Sequence, residues 1–266
     1  MLGGVPETAP RDLVLTLLGA HLHPRDRVVW SGGLVGLLVG FGHTEAAARV
    51  ALTRMVVRDL LRREKRGRIV RYAATARGLD VLAEGDRRIF GLGRAEPSEA
   101  WTALWHAIPD EHRIARTRLV RALRFLGFGQ VQDGSWLAAH DRVDAVTALV
   151  DGLGVAEHVG VLRAEPPTRP AFVERVWDLA ALDARYRGFV AAFGDLEPSD
   201  DPGVAFGRRV RLAHAFRQFV PLDPELPADL VRPPPHRAAA IELFHRLYPA
   251  LAEAAQSHFD RAVTLE

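Results

Sequence analysis

Cysteine is absent from this chain of 266 residues, which removes disulfides, thiolate metal sites and thiol nucleophiles and suits a reducing compartment. No apolar run approaches the ~20 residues that a membrane-spanning helix needs. Residues Met1 to Pro10 have neither the basic start nor the apolar core of a secretory signal, so the expected compartment is the cytoplasm. A glycine-rich phosphate loop and a nucleophile elbow are missing too, and scattered serines, histidines and aspartates do not make a triad. No catalytic site and no cofactor are expected. Lysine is nearly missing: Lys65 is the only one among 35 basic side chains. A compositional bias explains part of that arginine excess, so only the clustering of arginines carries weight.

Clustering is what the sequence does have. The net charge of +2 divides into 16 basic and 9 acidic side chains over residues 1–94, and 19 basic and 24 acidic over 95–266. Attraction for polyanions is thereby confined to the first third. It peaks from Arg49 to Arg71, where nine basic residues face two acidic ones, Asp59 and Glu64. Such a patch is the electrostatic footprint of a nucleic-acid reader.

The local pattern around it predicts helix, helix, turn, helix, then a hairpin. Pro10 to His21 has helical apolar spacing, Val28 to Trp30 suits a short strand, and Ser31 is a plausible N-cap for a helix to Val39. Thr44 then caps a third helix, with Ala48, Leu52, Met55, Val56 and Leu60 on one side and Glu45, Arg49, Thr53, Val57 and Arg58 turned elsewhere. Leu61 to Arg63 and Arg68 to Ala73 are expected to flank a Glu64-Lys65-Arg66-Gly67 tip, followed by a helix over about Arg77 to Phe90. Gly91, Gly93, Pro97 and Ser98 make a linker, placing a first domain at 1–95.

Residues 96–168 read as β-α-β-β-α-β: a strand over Trp101 to Ile108, a helix over Asp110 to Leu126, strands around the Asp133-Gly134 turn, a helix over Val143 to Leu153 and a strand over Glu157 to Ala164. That order is the ferredoxin-like sandwich, with helices on one face of an antiparallel sheet. Residues 169–266 read as a third, helical domain, with helices over Val173 to Phe193, Gly203 to Phe219 and Arg237 to about Ala254 and a proline-rich crossing from Pro221 to Pro235. The fold class expected is α+β.

A helix can offer side chains to base edges in a major groove, while a basic hairpin lies along phosphates or enters the minor groove. Arg49, Thr53 and Arg54 are the candidates for base-edge or close phosphate contact, and Thr44 and Glu45 at the start of the same helix are further DNA-binding candidates. Arg58, Arg62, Arg63, Lys65, Arg66, Arg68 and Arg71 are the candidates for phosphate. The bland alternative is a solvated basic face on a domain that binds protein, with some arginines paired to Asp59 and Glu64. His21 with His23, and His106 with His112, lack a third ligand and do not make a metal site. Trp101, Trp105, Trp136 and Trp177 fit core positions, with an aromatic ligand slot as the competing reading.

The chain resembles the PaaX family of bacterial transcriptional regulators over nearly its whole length. The resemblance rests on Leu13 to Gly19, the run Thr44 to Met55, Gly67-Arg68 with Tyr72, Thr75, Arg77 and Gly78, then Trp101-Thr102, Ile108-Pro109-Asp110, Arg118 to Leu126, Gly127-Phe128-Gly129 and Gly134-Ser135-Trp136. It continues through Trp177-Asp178-Leu179, Leu182, Tyr186, Phe189, Arg211-Leu212, His214, Phe216-Arg217, Phe219, Asp223-Pro224 and Leu226-Pro227. Three positions depart from the family pattern. Ala46 stands where a basic residue is usual, Ala139 replaces a proline, and Pro233 to His236 lack a tryptophan.

The resemblance implies an N-terminal winged helix-turn-helix, a central Cas2-like ferredoxin-like domain and a helical C-terminal domain. It further implies a homodimeric repressor of a palindromic double-stranded DNA operator, released by an aryl-CoA thioester such as phenylacetyl-CoA. A polyanionic nucleotide end and an apolar acyl end call for arginines beside an aromatic slot, and Arg118, Arg121 and Arg217 with Trp105 or Trp177 are the candidates. Likeness to a nuclease fold raises nucleic-acid processing as an alternative, and an interaction module without DNA binding is another. Against the first, Trp105-His106-Ala107-Ile108 supply no carboxylate before Asp110, so a divalent cation would lack an anchoring oxygen.

Overall fold

The structure, a computed structural model, describes residues 10–22, 28–94 and 98–264. His23, Pro97 and the expected boundary at residue 95 lie outside these. Contacts divide the chain into two units that are not consecutive in sequence: one of residues 1–91, 189–217 and 241–266, the other of 92–188 and 218–240. By these contacts, residues 189–217 and 241–266 go with the first unit and residues 170–188 and 218–240 with the second.

In the first unit, α1 (Pro10–His21), β1 (Val29–Trp30), α2 (Ser31–Gly40), α3 (Glu45–Val57), β2 (Leu61–Arg66), β3 (Ile69–Ala74) and α4 (Ala76–Gly91) follow the predicted order. Ser31 opens α2 as a helical residue instead of capping it, because Trp30, still extended from β1, occupies the cap position. The three strands form an antiparallel sheet in the order β1-β3-β2. The hairpin tip is two residues shorter than expected. Arg66 pairs with Ile69 and leaves only Gly67 and Arg68 in the loop, with Gly67 at φ +60, so Glu64, Lys65 and Arg66 belong to β2.

Leu13, Leu17, Leu34, Leu38, Leu52 and Met55 fill the core of this unit, and they are joined by residues from far along the chain. α9 (Pro202–Phe216) and α11 (Ala252–Val263) bring Phe206, Val210, Phe259 and Val263 into the same cluster. Gly33 of α2 meets α11 so closely that a Cβ there would fall 1.9 Å from the Ala262 carbonyl oxygen; only glycine fits. Asp201 caps α9, its carboxylate accepting from the Val204 N–H at 2.8 Å, and Pro202 occupies the first turn, where its missing N–H costs nothing.

Polar groups register α9 on α1. Arg209, 8% exposed, donates to the Ala20 carbonyl at 2.6 Å near the C-terminal end of α1, and its guanidinium lies 4.0 Å from the Tyr248 ring centroid. His214 Nδ1 lies 3.1 Å from Thr16 Oγ1, and Arg217 donates to both Thr16 Oγ1 and the Asp12 carbonyl at 2.9 Å. His21, weighed above as a metal ligand, is buried and stacked on Phe259 with centroids 5.0 Å apart, a core role.

The second unit is built on β4 (Trp101–His106), β5 (Gly129–Gln132), β6 (Ser135–Ala138) and β7 (Val159–Ala164), antiparallel in the order β5-β6-β4-β7. α5 (Arg113–Phe125) and α6 (Val143–Leu153) cover one face, with Leu119, Leu123, Val146 and Val150 packed on Leu104 and Trp136. Gly154, in the left-handed region at φ +66, ends α6. The opposite face is covered as well. Val173 and Trp177, from α7 (Pro170–Val176) and the residue after it, pack with Val231 on Trp101, Leu137 and Ala139. The helix expected from Val173 to Phe193 is therefore broken at Trp177, and Asp178 caps the next one, α8 (Leu179–Phe193), accepting from Ala181 N–H at 2.8 Å.

Residues 218–236 are pinned by Asp223, which accepts from Tyr186 Oη and from Arg237 Nε at 2.6 Å each and, through its other oxygen, from the Glu225 N–H at 2.8 Å. Burial and the adjoining Asp223 carboxylate push the Tyr186 hydroxyl far above its usual range, so it stays a donor. α10 (Arg237–Ala250) stops just past Pro249, and α11 carries the helical region to Val263, beyond the expected Ala254.

His214 gives this packing a pH signature. Burial, and then the nearby Arg217 charge, hold its imidazole down to about 4, against 6.5 for a free side chain. Between those values the unfolded chain binds the extra proton, so stability is full above pH 6.5 and is lost as pH falls toward 4. The whole span corresponds to about 3 kcal/mol. Urea unfolding at pH 7.5 and 4.5 should show a clearly smaller loss on acidification for His214→Gln than for the parent; an equal loss would assign the effect to other groups.

Candidate nucleic-acid interface

α3 owes its position to both ends. Thr44 Oγ1 accepts from the Ala47 N–H at 3.2 Å, satisfying one of the free donors of the first turn. Past Val57 the chain turns through Asp59, whose φ of +56 is unusual for a residue with a side chain. Thr75 locks that turn: its hydroxyl donates to the Asp59 carbonyl at 2.6 Å and accepts from Gly78 N–H at 2.9 Å, while its N–H donates to the Leu60 carbonyl at 3.2 Å. A Cβ at Gly78 would fall 2.1 Å from the Leu60 carbonyl oxygen. The hairpin is thus fixed at its base to the end of α3.

Ala48, Ala51, Leu52 and Met55 bury one face of α3. The opposite face is Glu45, Arg49, Thr53 and Arg54 in solvent, as the sequence predicts. Arg49 pairs with Glu45 at 3.2 Å one turn away, and Thr53 Oγ1 donates to the Arg49 carbonyl at 2.9 Å, so its hydroxyl proton is already engaged. Two apolar side chains on this face were not anticipated as contacts. Val50 is 50% exposed and Val57 81% exposed. They stand seven residues, about two helical turns, apart with Thr53 between them, and an exposed valine on such a face can meet a thymine methyl group.

β2 alternates strictly. Arg62, Glu64 and Arg66 share one face with Ala73, Arg71 and Ile69, and Arg63 and Lys65 share the other with Tyr72 and Val70. Arg62 forms an ion pair with Glu64. Arg54, Arg58, Arg63, Lys65, Arg66, Arg68 and Arg71 have no carboxylate within ion-pair distance among the described residues. Because β2 is an edge strand, its charges also discourage pairing with another chain. That role needs only one or two of them and does not account for the surplus on Arg58, Arg66 and Arg68.

Within the second unit, Trp105 lies apart from the two arginines assigned with it to an effector slot. Trp105 follows Leu104 on β4, so its indole lies on the sheet face away from α5, over Gly160 and 51% exposed, whereas Arg118 and Arg121 sit on α5. Trp177 is buried edge-on against Trp101 at 5.9 Å, confirming a core role for both. Arg217 belongs to the first unit and holds α1. Trp136 is also core. Asp110 is exposed and paired to Arg116 at 3.0 Å. His112 lies 5.7 Å from the His158 ring centroid, and among the described residues no cluster of three metal-ligating side chains occurs. No helix among these residues is long and apolar enough to cross a membrane.

Comparison with known proteins gives consecutive matches. Residues 9–78 match the family model of the PaaX-like protein, 94–175 the PaaX protein central Cas2-like domain, and 177–261 the PaaX-like protein C-terminal domain. The transcriptional repressor PaaX of Escherichia coli K12 is 29% identical over 260 residues, covering 90% of this chain and 80% of that protein. The solved structure of an uncharacterized protein from Mycobacterium tuberculosis shares the fold, with a TM-score of 0.58 at 23% identity over 96% of this chain and 98% of the other. With its three segments matched in order from residue 9 to residue 261, this chain belongs to the PaaX family.

Proposed function

We propose that the protein is a DNA-binding transcriptional repressor in which residues 28–78 act as a winged helix-turn-helix, α3 entering the major groove and the β2–β3 hairpin serving as the wing. The observation that carries this reading is the joining of an exposed α3 face, bearing Arg49, Val50, Thr53, Arg54 and Val57, to a hairpin whose cations are largely unpaired. Phosphate contacts supply affinity and register, and side chains on the groove-facing helix supply sequence preference. Ala46 shortens the start of that helix face relative to relatives with a basic residue there, so the operator sequence is expected to differ.

The central β-α-β-β-α-β segment is the ferredoxin-like, Cas2-like sandwich of the family, used here for a non-enzymatic role: the strand end at Trp105 to Ile108 offers no carboxylate to a metal ion. The protein acts in the cytoplasm as a homodimer on a palindromic operator, whose twofold symmetry matches that of the dimer. An aryl-CoA thioester such as phenylacetyl-CoA releases it, by binding the form that does not hold DNA more tightly than the form that does.

Arg49→Ala or Arg54→Ala should weaken operator binding by about 1 to 3 kcal/mol if the contact is bidentate to guanine, and relax preference at one or two base pairs. Equal loss on every duplex, measured by fluorescence anisotropy, would remove the base-reading role. Replacing Lys65, Arg66 and Arg68 together with alanine should lower affinity for all duplexes alike. The slope of log K against log salt should flatten by up to roughly 0.9 for each phosphate that is no longer neutralised. An unmoved slope would take the hairpin off the backbone.

The effector is tested by calorimetry with a panel of acyl-CoAs, with and without operator. An aryl-CoA is expected to bind and to reduce operator affinity, and free CoA to do so less well. No binding by any of the panel would remove this effector and leave the DNA reading in place.

A further inference from the structure

β7 is an edge strand without the devices that usually keep edges from pairing. It runs for 6 residues, Val159 to Ala164, with no proline and no bulge, in continuous register with β4. Its one charge, Arg163, is held by Asp141, with Nε 2.8 Å from the carboxylate oxygen. The opposite edge of the same sheet, β5, is shorter and is irregular between Gln130 and Gln132.

The Ala107 N–H donates to the His158 carbonyl at 2.9 Å, and this bond fixes the phase of the ladder. Backbone groups of an antiparallel strand alternate between its two sides. Gly160, Leu162 and Ala164 therefore turn their N–H and C=O toward β4, while Val159, Val161 and Arg163 turn theirs outward. Among the described residues no partner takes these outward groups. Beside this edge, on the sheet face away from α5, Trp105 and Leu162 are exposed, Leu162 by 42%. Gly160 shares their face, and the Trp105 indole lies over it so closely that a Cβ there would fall 2.1 Å from the ring.

We infer that β7 pairs antiparallel with β7 of a second copy of this chain, about a twofold axis at Val161, joining the two sheets into one. This names the contact surface of the homodimer proposed above and rests on that reading. The strand is complementary to itself in this register. With Val161 opposite its own counterpart, Val159 stands opposite Arg163, and every outward N–H and C=O of both strands meets a partner. A slip by two residues either way leaves groups at the ends unmet. Leu162 then lies opposite Gly160 of the partner subunit, a position with no side chain of its own, and packs against the indole that covers it. The two Arg163 guanidiniums do not oppose each other. A strand from an unrelated protein would satisfy the backbone alone, whereas a second copy supplies the apolar side chain and its platform twice.

Sedimentation velocity of the full chain, without DNA, is expected to show a dimer. Leu162→Lys, which sets a charge against Trp105, should weaken that dimer by about ten-fold or more. Val131→Lys, exposed on β5 at the other edge, should leave it nearly unchanged. Because the chain has no cysteine, a single Val161→Cys tests the register. Facing residues of a hydrogen-bonded antiparallel pair have Cα atoms about 5.5 Å apart, within disulfide reach, so mild oxidation should give a covalent dimer, and Val131→Cys should not. This second variant is conservative in size and decides the matter even where Leu162→Lys fails to fold. A monomeric parent would overturn both this inference and the homodimer reading. A dimer that survives Leu162→Lys, or that Val161→Cys does not cross-link, would overturn this interface alone. No readout involves DNA, so the role of α3 stands or falls separately.

Discussion

The clamp of α9 on α1 is the constraint on which the presentation of α3 depends. Arg209, His214 and Arg217 reach Ala20, Thr16 and Asp12, groups spaced by one helical turn along α1, and they fix the axial register of the two helices. Apolar packing alone would be tolerant of a slide, because dispersion contacts between leucines have little directionality. Buried hydrogen bonds are not tolerant, since each displaced partner is left without water to replace it. α1 in turn lines the core from which Leu52 and Met55 of α3 hang, so the outward face of α3 is set from the far side of its own core.

The second unit solves a different problem with the same means. Its sheet is apolar on both faces, and α5 and α6 cover only one. The remaining face is closed by α7, Trp177 and Val231, pieces from separate stretches of chain that Asp223 and Arg237 hold in place. Gly129 permits this closure, because a Cβ there would sit 2.4 Å from Val176. Trp105, at the uncovered end of the same face, is left in solvent for the same reason that Trp101 is buried: the covering pieces are short.

Much of the local structure was legible in the sequence because its causes are local. Thr44 and the 3.6-residue spacing of Ala48, Leu52 and Met55 specify α3, and alternating apolar residues with the Asp133-Gly134 turn specify β5 and β6. The hairpin tip was misplaced because Glu64-Lys65-Arg66-Gly67 has turn-like polarity, whereas the deciding fact is that Gly67 alone takes a positive φ and lets Arg66 pair with Ile69. The α3 contact face was read from its charges, so Val57, though placed on the outward side, was not taken as a contact, and Val50 was not placed at all. Grouping was not legible at all. Periodicity says that Phe206, Phe259 and Val263 face a core, but not which one, since a partner some two hundred residues away leaves no mark on local spacing. Of the α5 arginines the sequence reading singled out only Arg118 and Arg121, and only the fold reveals that Arg121 shares a groove with Arg116 and Arg124 while Arg118 does not.

The backbone-to-backbone approach of Gly33 to Ala262 bears on how the protein is made. α1 to α4 are made before α9 and α11, so the side of their core that Phe206, Phe259 and Val263 cover stays open until those two helices have emerged. During that interval the surface around Leu34 and Leu38 is exposed, and α1 to α4 are held together by their own short-range contacts alone. Closing it is a contact across more than two hundred residues of sequence separation, the kind that makes folding slow and leaves a partly built chain prone to association. The competence of α3 to present its outer face is therefore acquired only once α9 and α11 have been made, and not when α3 itself has been made.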